Sequence, residues 1–277
     1  MHLTILSRKI PTLNEAQFRH EFRVVHAEQT ISIAQNLGII HQYEQGLALQ
    51  TLNKPILDRS ALLPLEEASK YDAFARLTWP RLEVMQGSFT TEDYRRTAGE
   101  HVFAEPFQIF LTEPLSTEAT RQIAKDSPSE EDIIRVIIPI QHIANGVVSE
   151  TEFEERWNQH ASFISSTGAV YTRHRSLDIS PDHLARIFDQ TQFDHRLVVA
   201  RGGYEELLFH SRAAAETFFK QYAREMRDSY ERFVDPALEL FIYDRVMQFA
   251  AEQRGWWQSG VGLAVGTALR VKVFMGV

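Results

Sequence analysis

Thr12–Gly38 reads TLNEAQFRHEFRVVHAEQTISIAQNLG, and an altered copy, SETEFEERWNQHASFISSTG, stands at Ser149–Gly168. Each copy opens with the pattern of a capping box, Thr12 with Glu15 and Ser149 with Glu152, in which a hydroxyl accepts an early helix N–H and the glutamate reaches back. Each then places large apolar residues on one helical face, Phe18, Phe22 and Val25 in the first and Phe153, Trp157 and Ile164 in the second. A histidine follows along each stripe, His26 and His160, and each copy stops at a glycine suited to a left-handed helix end. A helix that buries one stripe must lie on something. Met1–Ser7 and Ile133–Gln141, which precede the two copies, read as strands and supply it.

Working outward, Ile39–Ala48, Tyr71–Trp79 and Phe107–Thr112 read as further strands, and Pro80 is placed to start a second helix that Gly87 interrupts. The order strand, helix, strand, strand, helix, strand is the split βαβ of the ferredoxin-like fold. The second half repeats it, with strands at Ala169–Arg175, Tyr204–Phe209 and Ala237–Tyr243 and a helix capped by Ser211 that carries Phe218, Tyr222, Met226 and Phe233. Gly38 and Gly168, Leu77-x-Trp79 and Leu207-x-Phe209, and Glu105-Pro106 and Asp235-Pro236 all keep one separation of 130 residues. A spacing of that size is a whole-domain duplication rather than a short repeat. The expected organisation is a unit at 1–113, a linker at 114–132, a second unit at 133–248 and a C-terminal extension at 249–277. Each unit leaves one apolar sheet face to be covered, so the two sheets are expected to pack face to face. The fold class that follows is α+β: duplicated ferredoxin-like units forming a pseudo-dimeric α+β barrel, helices outside.

Composition narrows the function. The net charge of −8 disfavours a nucleic-acid or anionic-membrane surface. With no cysteine there are no disulfides, thiolate metal sites or cysteine nucleophiles. The opening MHLTILSRK is too short an apolar run for a secretory leader, and the run around GVGLAVGTAL near the end is shorter than the ~20 residues of a membrane span. A soluble, cytoplasmic protein is expected, with Trp256 and Trp257 packed on its body. Phosphate loops, serine-nucleophile elbows and metalloprotease helices are absent from the sequence. The histidines form no metal-ligand spacing; His20 and His26, six apart, point to different faces.

FRHEFRVVHAEQT, the later YDAFARLTW and the Phe-x-Glu-Pro step at Phe103–Pro106 resemble the EthD family, within the dimeric α+β barrel superfamily. The family pattern has an aromatic four residues before a His-Ala pair, here Phe22 and His26-Ala27, then Tyr-Asp before a hydrophobic strand, here Tyr71-Asp72, then an acidic-Pro step. The second half keeps Trp157, His160-Ala161 and Asp235-Pro236, but Arg201 and Gly202 stand where Tyr-Asp should fall. The resemblance covers roughly residues 2–248. It implies a cofactor-independent dehydratase or cyclase acting on a small aromatic, polyketide-like intermediate of secondary metabolism. A cofactor-free monooxygenase and a non-catalytic small-ligand binding protein are the alternatives it leaves open. The partners to expect are that small substrate and a second copy in a homodimer, with no cofactor, nucleic acid or membrane.

His26 is the sharpest candidate, because an imidazole between a helix and its sheet can take a proton from a phenol or acidic carbon and return it to a leaving hydroxyl. Asp72 and Tyr71, at the mouth of the third strand, are expected to orient it or to act as the second acid or base. Phe22 would line the same pocket. His41 and Tyr43 share a strand face, and the constant separation matches them to Tyr171 and Arg173. These four, with His160, are the candidate substrate-binding residues, able to hydrogen-bond phenolic or carboxylate oxygens. A metal site is not expected.

Overall fold

The structure, a computed structural model, describes residues 1–49, 71–92, 94, 103–115, 133–142, 148–189, 191, 193–234, 241–244 and 246–250. The expected linker from 116 onward, His101, Asp235-Pro236 and the tail with Trp256 and Trp257 lie outside them. The strands are β1 (His2–Lys9), β2 (Gln42–Leu47), β3 (Ala73–Thr78), β4 (Ala104–Pro114), β5 (Ile134–Gln141), β6 (Val170–Ser176), β7 (Gly202–Phe209), β8 (Phe241–Asp244) and β9 (Val246–Ala250). The helices are α1 (Glu15–His20), α2 (Ala27–Leu37), α3 (Leu82–Phe89), α4 (Glu150–Ser166), α5 (Pro181–Ile187) and α6 (Arg212–Tyr230). A π-helical stretch, Glu21–His26, joins α1 to α2, and a 3-10 turn spans His195–Leu197.

All nine strands form one sheet in the order β8-β5-β7-β6-β4-β1-β3-β2-β9. The two ends of that order, β8 and β9, are neighbours in the chain, and Ala48 beyond β2 bridges Tyr243 of β8. The sheet therefore closes on itself as a barrel, which leaves no long edge unpaired. Within it, β2-β3-β1-β4 and β6-β7-β5-β8 are two runs of the same antiparallel order, joined where Thr112 pairs with Ser176 and where Gln42 pairs with Ala250.

Alternation along the strands separates two environments. Leu3, Ile5 and Ile109 face the first half's helices, where they meet Ile33, Met85 and Phe89. Val136, Ile138 and Leu207 face the second half's helices and meet Phe153, Trp157, Phe219 and Met226. Residues of opposite parity, such as Leu6, Phe74, Phe110, Ile137 and Tyr204, fill the barrel interior. Four buried charges also lie there. Arg76 pairs with Glu44 and, at 2.7 Å, with Glu206; Arg135 sits 3.1 Å from Glu44. Arg135 Nε is 2.6 Å from Glu206 Oε1, at ion-pair distance though off the direction of a hydrogen bond. Its guanidinium lies 4.4 Å from the Phe74 ring centroid. Two arginines and two glutamates drawn from both halves balance, the condition under which burying charge is tolerated.

Local expectations are adjusted in places. The first helix is capped by Asn14 and Gln17, not by Thr12 and Glu15: Asn14 accepts from Gln17 N–H at 2.9 Å and Gln17 accepts from Asn14 N–H at 3.0 Å. Ser149 does cap α4, but Glu152 turns forward to Arg156. Gly87 lies inside α3 and does not interrupt it. Gly38 and Gly168 end their helices with φ of 68° and 78°. The segment between β6 and β7, without assigned structure in the sequence reading, holds α5 and the 3-10 turn. It crosses to the first half, where Leu184, Ile187, Phe188 and Phe193 join the core under α3, and Val199 N–H donates to Ile109 O at 2.9 Å. Among the described residues no helix is long and apolar enough to cross a membrane.

Candidate active site

The first half holds a cavity between its helices and its sheet. The π-helical stretch brings it about. Its wide turn is an uncommon local geometry, found mostly as single bulges at functional sites. Phe18, Phe22 and His26 stack at four-residue intervals along it, with ring centroids 6.0 and 6.2 Å apart. Gln45 of β2 anchors the turn from below, its Nε2 donating to the Phe22 carbonyl and the Tyr43 hydroxyl, each at 2.6 Å. Arg23, on the outer side, pairs with Asp244, whose carboxylate also accepts the Leu47 N–H at 2.6 Å. The turn is thereby tied to both β2 and the closing strand.

His26 lies on the cavity wall, 7% exposed, its ring 5.1 Å from that of Phe103 and edge-on to Tyr43 at 6.0 Å. Leu3, Ile5, Ala75 and Leu77 form the sheet-side floor, Trp79, Phe89 and Tyr94 the far wall, and Phe193 arrives from the second half's crossing segment. Polar groups are few: besides His26, Trp79 and Tyr94 there are the hydroxyls of Ser7 and Thr30. Thr30 hydrogen-bonds Tyr43. The cavity volume is about 40 Å³, room for two or three waters at ~10–15 Å³ each. The empty space including its open mouth is about 670 Å³.

The other candidate residues are spread more widely. Phe22 lines the cavity, while Tyr43 is fully buried beside it, its hydroxyl engaged by Gln45 and Thr30 and its pKa pushed up by burial. Tyr71 packs in the barrel interior and donates to Gln108 Oε1 at 3.2 Å. Asp72 accepts the Lys9 N–H at 2.8 Å. Neither Tyr71 nor Asp72 is among the described residues lining the cavity, so they do not stand beside His26 as expected. His41 is exposed just before β2 and is not among the described residues lining this cavity. The expected match of His41 and Tyr43 to Tyr171 and Arg173 is also corrected by the strand register. Tyr43 pairs with Leu77 and Tyr171 with Leu207, so Tyr43 corresponds to Tyr171, and Arg173 to Gln45.

In the second half the equivalent place holds a buried carboxylate and its donors. Glu205 stands where Ala75 stands in the first, two residues before the paired leucine. Its carboxylate accepts from Trp157 Nε1 at 2.5 Å, from the Tyr171 hydroxyl at 2.6 Å and from the Tyr230 hydroxyl. His160 Nε2 lies 3.3 Å from it, within ion-pair reach but off hydrogen-bond direction, while its Nδ1 meets Ser229 Oγ at 2.9 Å. Burial works to raise the pKa of Glu205, but His160 and the donated hydrogen bonds outweigh it and hold the carboxyl below its ordinary value. Burial and the same carboxylate push Tyr171 and Tyr230 well up. Arg173 lies outside this cluster, over the Trp157 ring at 5.5 Å and on Asn158 at 2.7 Å. Of Arg201 and Gly202, which stand in place of Tyr-Asp, the glycine has a steric cause: a Cβ on Gly202 would stand 2.1 Å from Ile140 O, as one on the next residue, Gly203, would stand 1.9 Å from His174 O.

The sequence reading passed over Trp79, Tyr94, Thr30 and Phe193. Trp79 figured only as a landmark of the repeat. Nothing in the local pattern around Phe193 signals that it crosses to the other half. Among the described residues, no cluster of histidine, aspartate or glutamate has the arrangement of a metal site.

Residues 10–106, which include the π turn and most of the cavity wall, match the EthD domain family. The chalcone isomerase cfoK of Aspergillus candidus is 28% identical over 214 residues, covering 76% of this chain and 81% of that protein. Among solved structures, an anthrone oxidase-like protein aligns at 9% identity with a TM-score of 0.48, over 90% of this chain and 93% of its own. A dye-decolorizing peroxidase from Bacteroides thetaiotaomicron aligns at 8% identity with a TM-score of 0.48, over 91% and 93%.

Proposed function

We propose that the chain is a cofactor-independent lyase or cyclase that closes or dehydrates a ring on a small phenolic, polyketide-like substrate of secondary metabolism. The observation that carries this reading is His26, the imidazole on the wall of an otherwise mostly aromatic and aliphatic cavity. Ring closure onto a conjugated ketone, or loss of water to give an aromatic ring, requires one proton removed and one returned. An imidazole, which gives and takes protons at its two ring nitrogens, has the chemistry to do both. The apolar walls hold the substrate in one reactive conformation and exclude water. The relative that carries the name chalcone isomerase supports the same chemistry, because isomerising a chalcone adds a phenol oxygen across a conjugated alkene.

In this reading the two halves are tandem copies of one EthD-like unit, and only the first retains a working pocket. Glu205 and its donors turn the second into a structural core. Asp72 and Tyr71 act at most indirectly, through the end of β3. The test is turnover of a 2′-hydroxychalcone and of a hydroxylated polyketide ketone by the purified protein, followed by absorbance with dissolved oxygen recorded. We expect ring closure or dehydration without oxygen uptake, and its loss in His26→Ala. Oxygen uptake matched to turnover would assign a monooxygenase instead, and binding without turnover a ligand-binding protein.

A further inference from the structure

Trp79 has a buried donor without an acceptor. It is 2% exposed and lines the cavity, and its Nε1–H has no hydrogen-bond partner among the described residues. Buried indole N–H groups normally find one, and Trp157, the other described tryptophan, gives its own to Glu205 at 2.5 Å. The position of Trp79 is fixed. Its backbone N–H donates to Met1 O at 3.0 Å, its carbonyl accepts from the Met1 amine at 2.9 Å, and its ring stands edge-on to Phe89 at 6.2 Å. The donor is also set apart from His26. His26 packs on Tyr43, the register partner of Leu77, and Trp79 lies two residues further along the strand direction, an offset of about 7 Å.

We propose that Trp79 Nε1–H is the specificity-determining donor of this pocket, taking one ketone or phenol oxygen conjugated to a planar aromatic ring. The inference rests on the reading of the cavity as an aromatic-substrate site and adds the feature of the ligand that the site demands. Without such an oxygen the N–H is desolvated by the ligand and left unpaired, so an analogue lacking the oxygen is rejected rather than merely bound less well. With it, the ligand is held at two points, the oxygen at Trp79 and the reacting atoms at His26. The π turn and the end of β3 then act as the two jaws that set substrate length.

The test is binding, independent of turnover, with flavanone and flavan, which share a skeleton and differ by the carbonyl oxygen. Full-length protein labelled with 15N in its four tryptophans is titrated with each, and the Trp79 indole signal is identified by its loss in Trp79→Phe and by its contacts to the Phe89 ring. We expect flavanone to bind at least about tenfold tighter than flavan, the worth of one hydrogen bond to a buried donor. The Trp79 indole proton should move downfield with flavanone only. Trp79→Phe should bring the two affinities to within about twofold, and His26→Ala should leave the preference intact. An indole signal that ignores bound flavanone, or a preference that survives in Trp79→Phe, overturns the inference and leaves the proposed function standing. If neither compound binds the folded wild-type protein, the aromatic-substrate reading falls and this inference with it.

Discussion

The Tyr171 hydroxyl donates to Glu205 Oε1 at 2.6 Å, at the place where the first half has the cavity-lining Ala75. The strand order and register are shared between the halves. One difference is at a matched strand position, alanine at 75 and glutamate at 205, with the donors that gather around the carboxylate; another is the π turn, which the second half's covering helix lacks.

Replacing Glu205 by alanine would leave three buried donors, Trp157, Tyr171 and Tyr230, without their acceptor. We expect a loss of about 3–5 kcal/mol, the usual consequence of breaking a buried charged network from one side. Glu205→Gln, which keeps an acceptor oxygen, should lose less. Urea unfolding of the three proteins at neutral pH checks the order, and equal midpoints would show that the cluster contributes nothing.

His26→Ala should lower turnover of a reacting phenolic ketone by about 10²–10⁴-fold, the usual contribution of general acid–base catalysis, with the far-ultraviolet circular dichroism unchanged. His160→Ala should do the reverse, leaving turnover near wild type while lowering stability, because His160 serves Glu205 and Ser229. A folded His26→Ala protein with full activity would remove the histidine from the mechanism.

Acid should weaken the barrel before its carboxylates titrate. Burial, assisted by Arg76 and Arg135 and opposed by Glu206, pushes the pKa of His174 down to about 4 from 6.5. His2, its ring tilted against that of His174 at 5.3 Å, is pushed to about 2, again chiefly by burial. Both are neutral when folded, whereas the unfolded chain takes up protons as pH falls through 6.5. The unfolded state therefore gains protons first, and stability declines from pH ~6.5 toward pH ~4 at up to about 1.4 kcal/mol per unit for each histidine. Urea midpoints between pH 7 and 4.5 should show this slope, and His174→Gln should flatten it. An unchanged slope in the variant would place the acid sensitivity elsewhere.

Phe193 reaches the first-half cavity from a segment between β6 and β7, packing on Phe89 at 6.4 Å. Phe193→Leu should raise KM several-fold with kcat little changed, because the ring forms a wall and moves no proton. Phe193→Ala should also cost about 3 kcal/mol of stability through the void it leaves. A steady-state comparison of the two variants on one substrate separates these effects, and a kcat loss without a KM change would contradict the wall assignment.

Apolar periodicity, the helix-ending glycines and the 130-residue separation of Gly38 from Gly168 are local or additive signals. They carry the strand and helix order and the barrel class, because secondary structure follows spacing and a half-covered sheet needs a second layer. The same signals place Phe22 and His26 on one helix face. Four things were settled only by the structure, the first by a local contact and the other three by tertiary ones. The cap fell on Asn14 because the side chain that reaches the first free N–H decides it, and two residues cannot be told apart by pattern alone. The π turn depends on Gln45 from another strand. Tyr71 and His41 left the site because the register of β2 and the entry to β3 fixed which way they point, a choice with period two that a shift of one residue inverts. The first-half cavity and the charged cluster at the matching place in the second depend on Glu205 meeting Trp157, Tyr171 and Tyr230, four residues from four elements, and on Phe193 crossing between halves. Those contacts join residues far apart in the chain, and only the closed barrel brings them together.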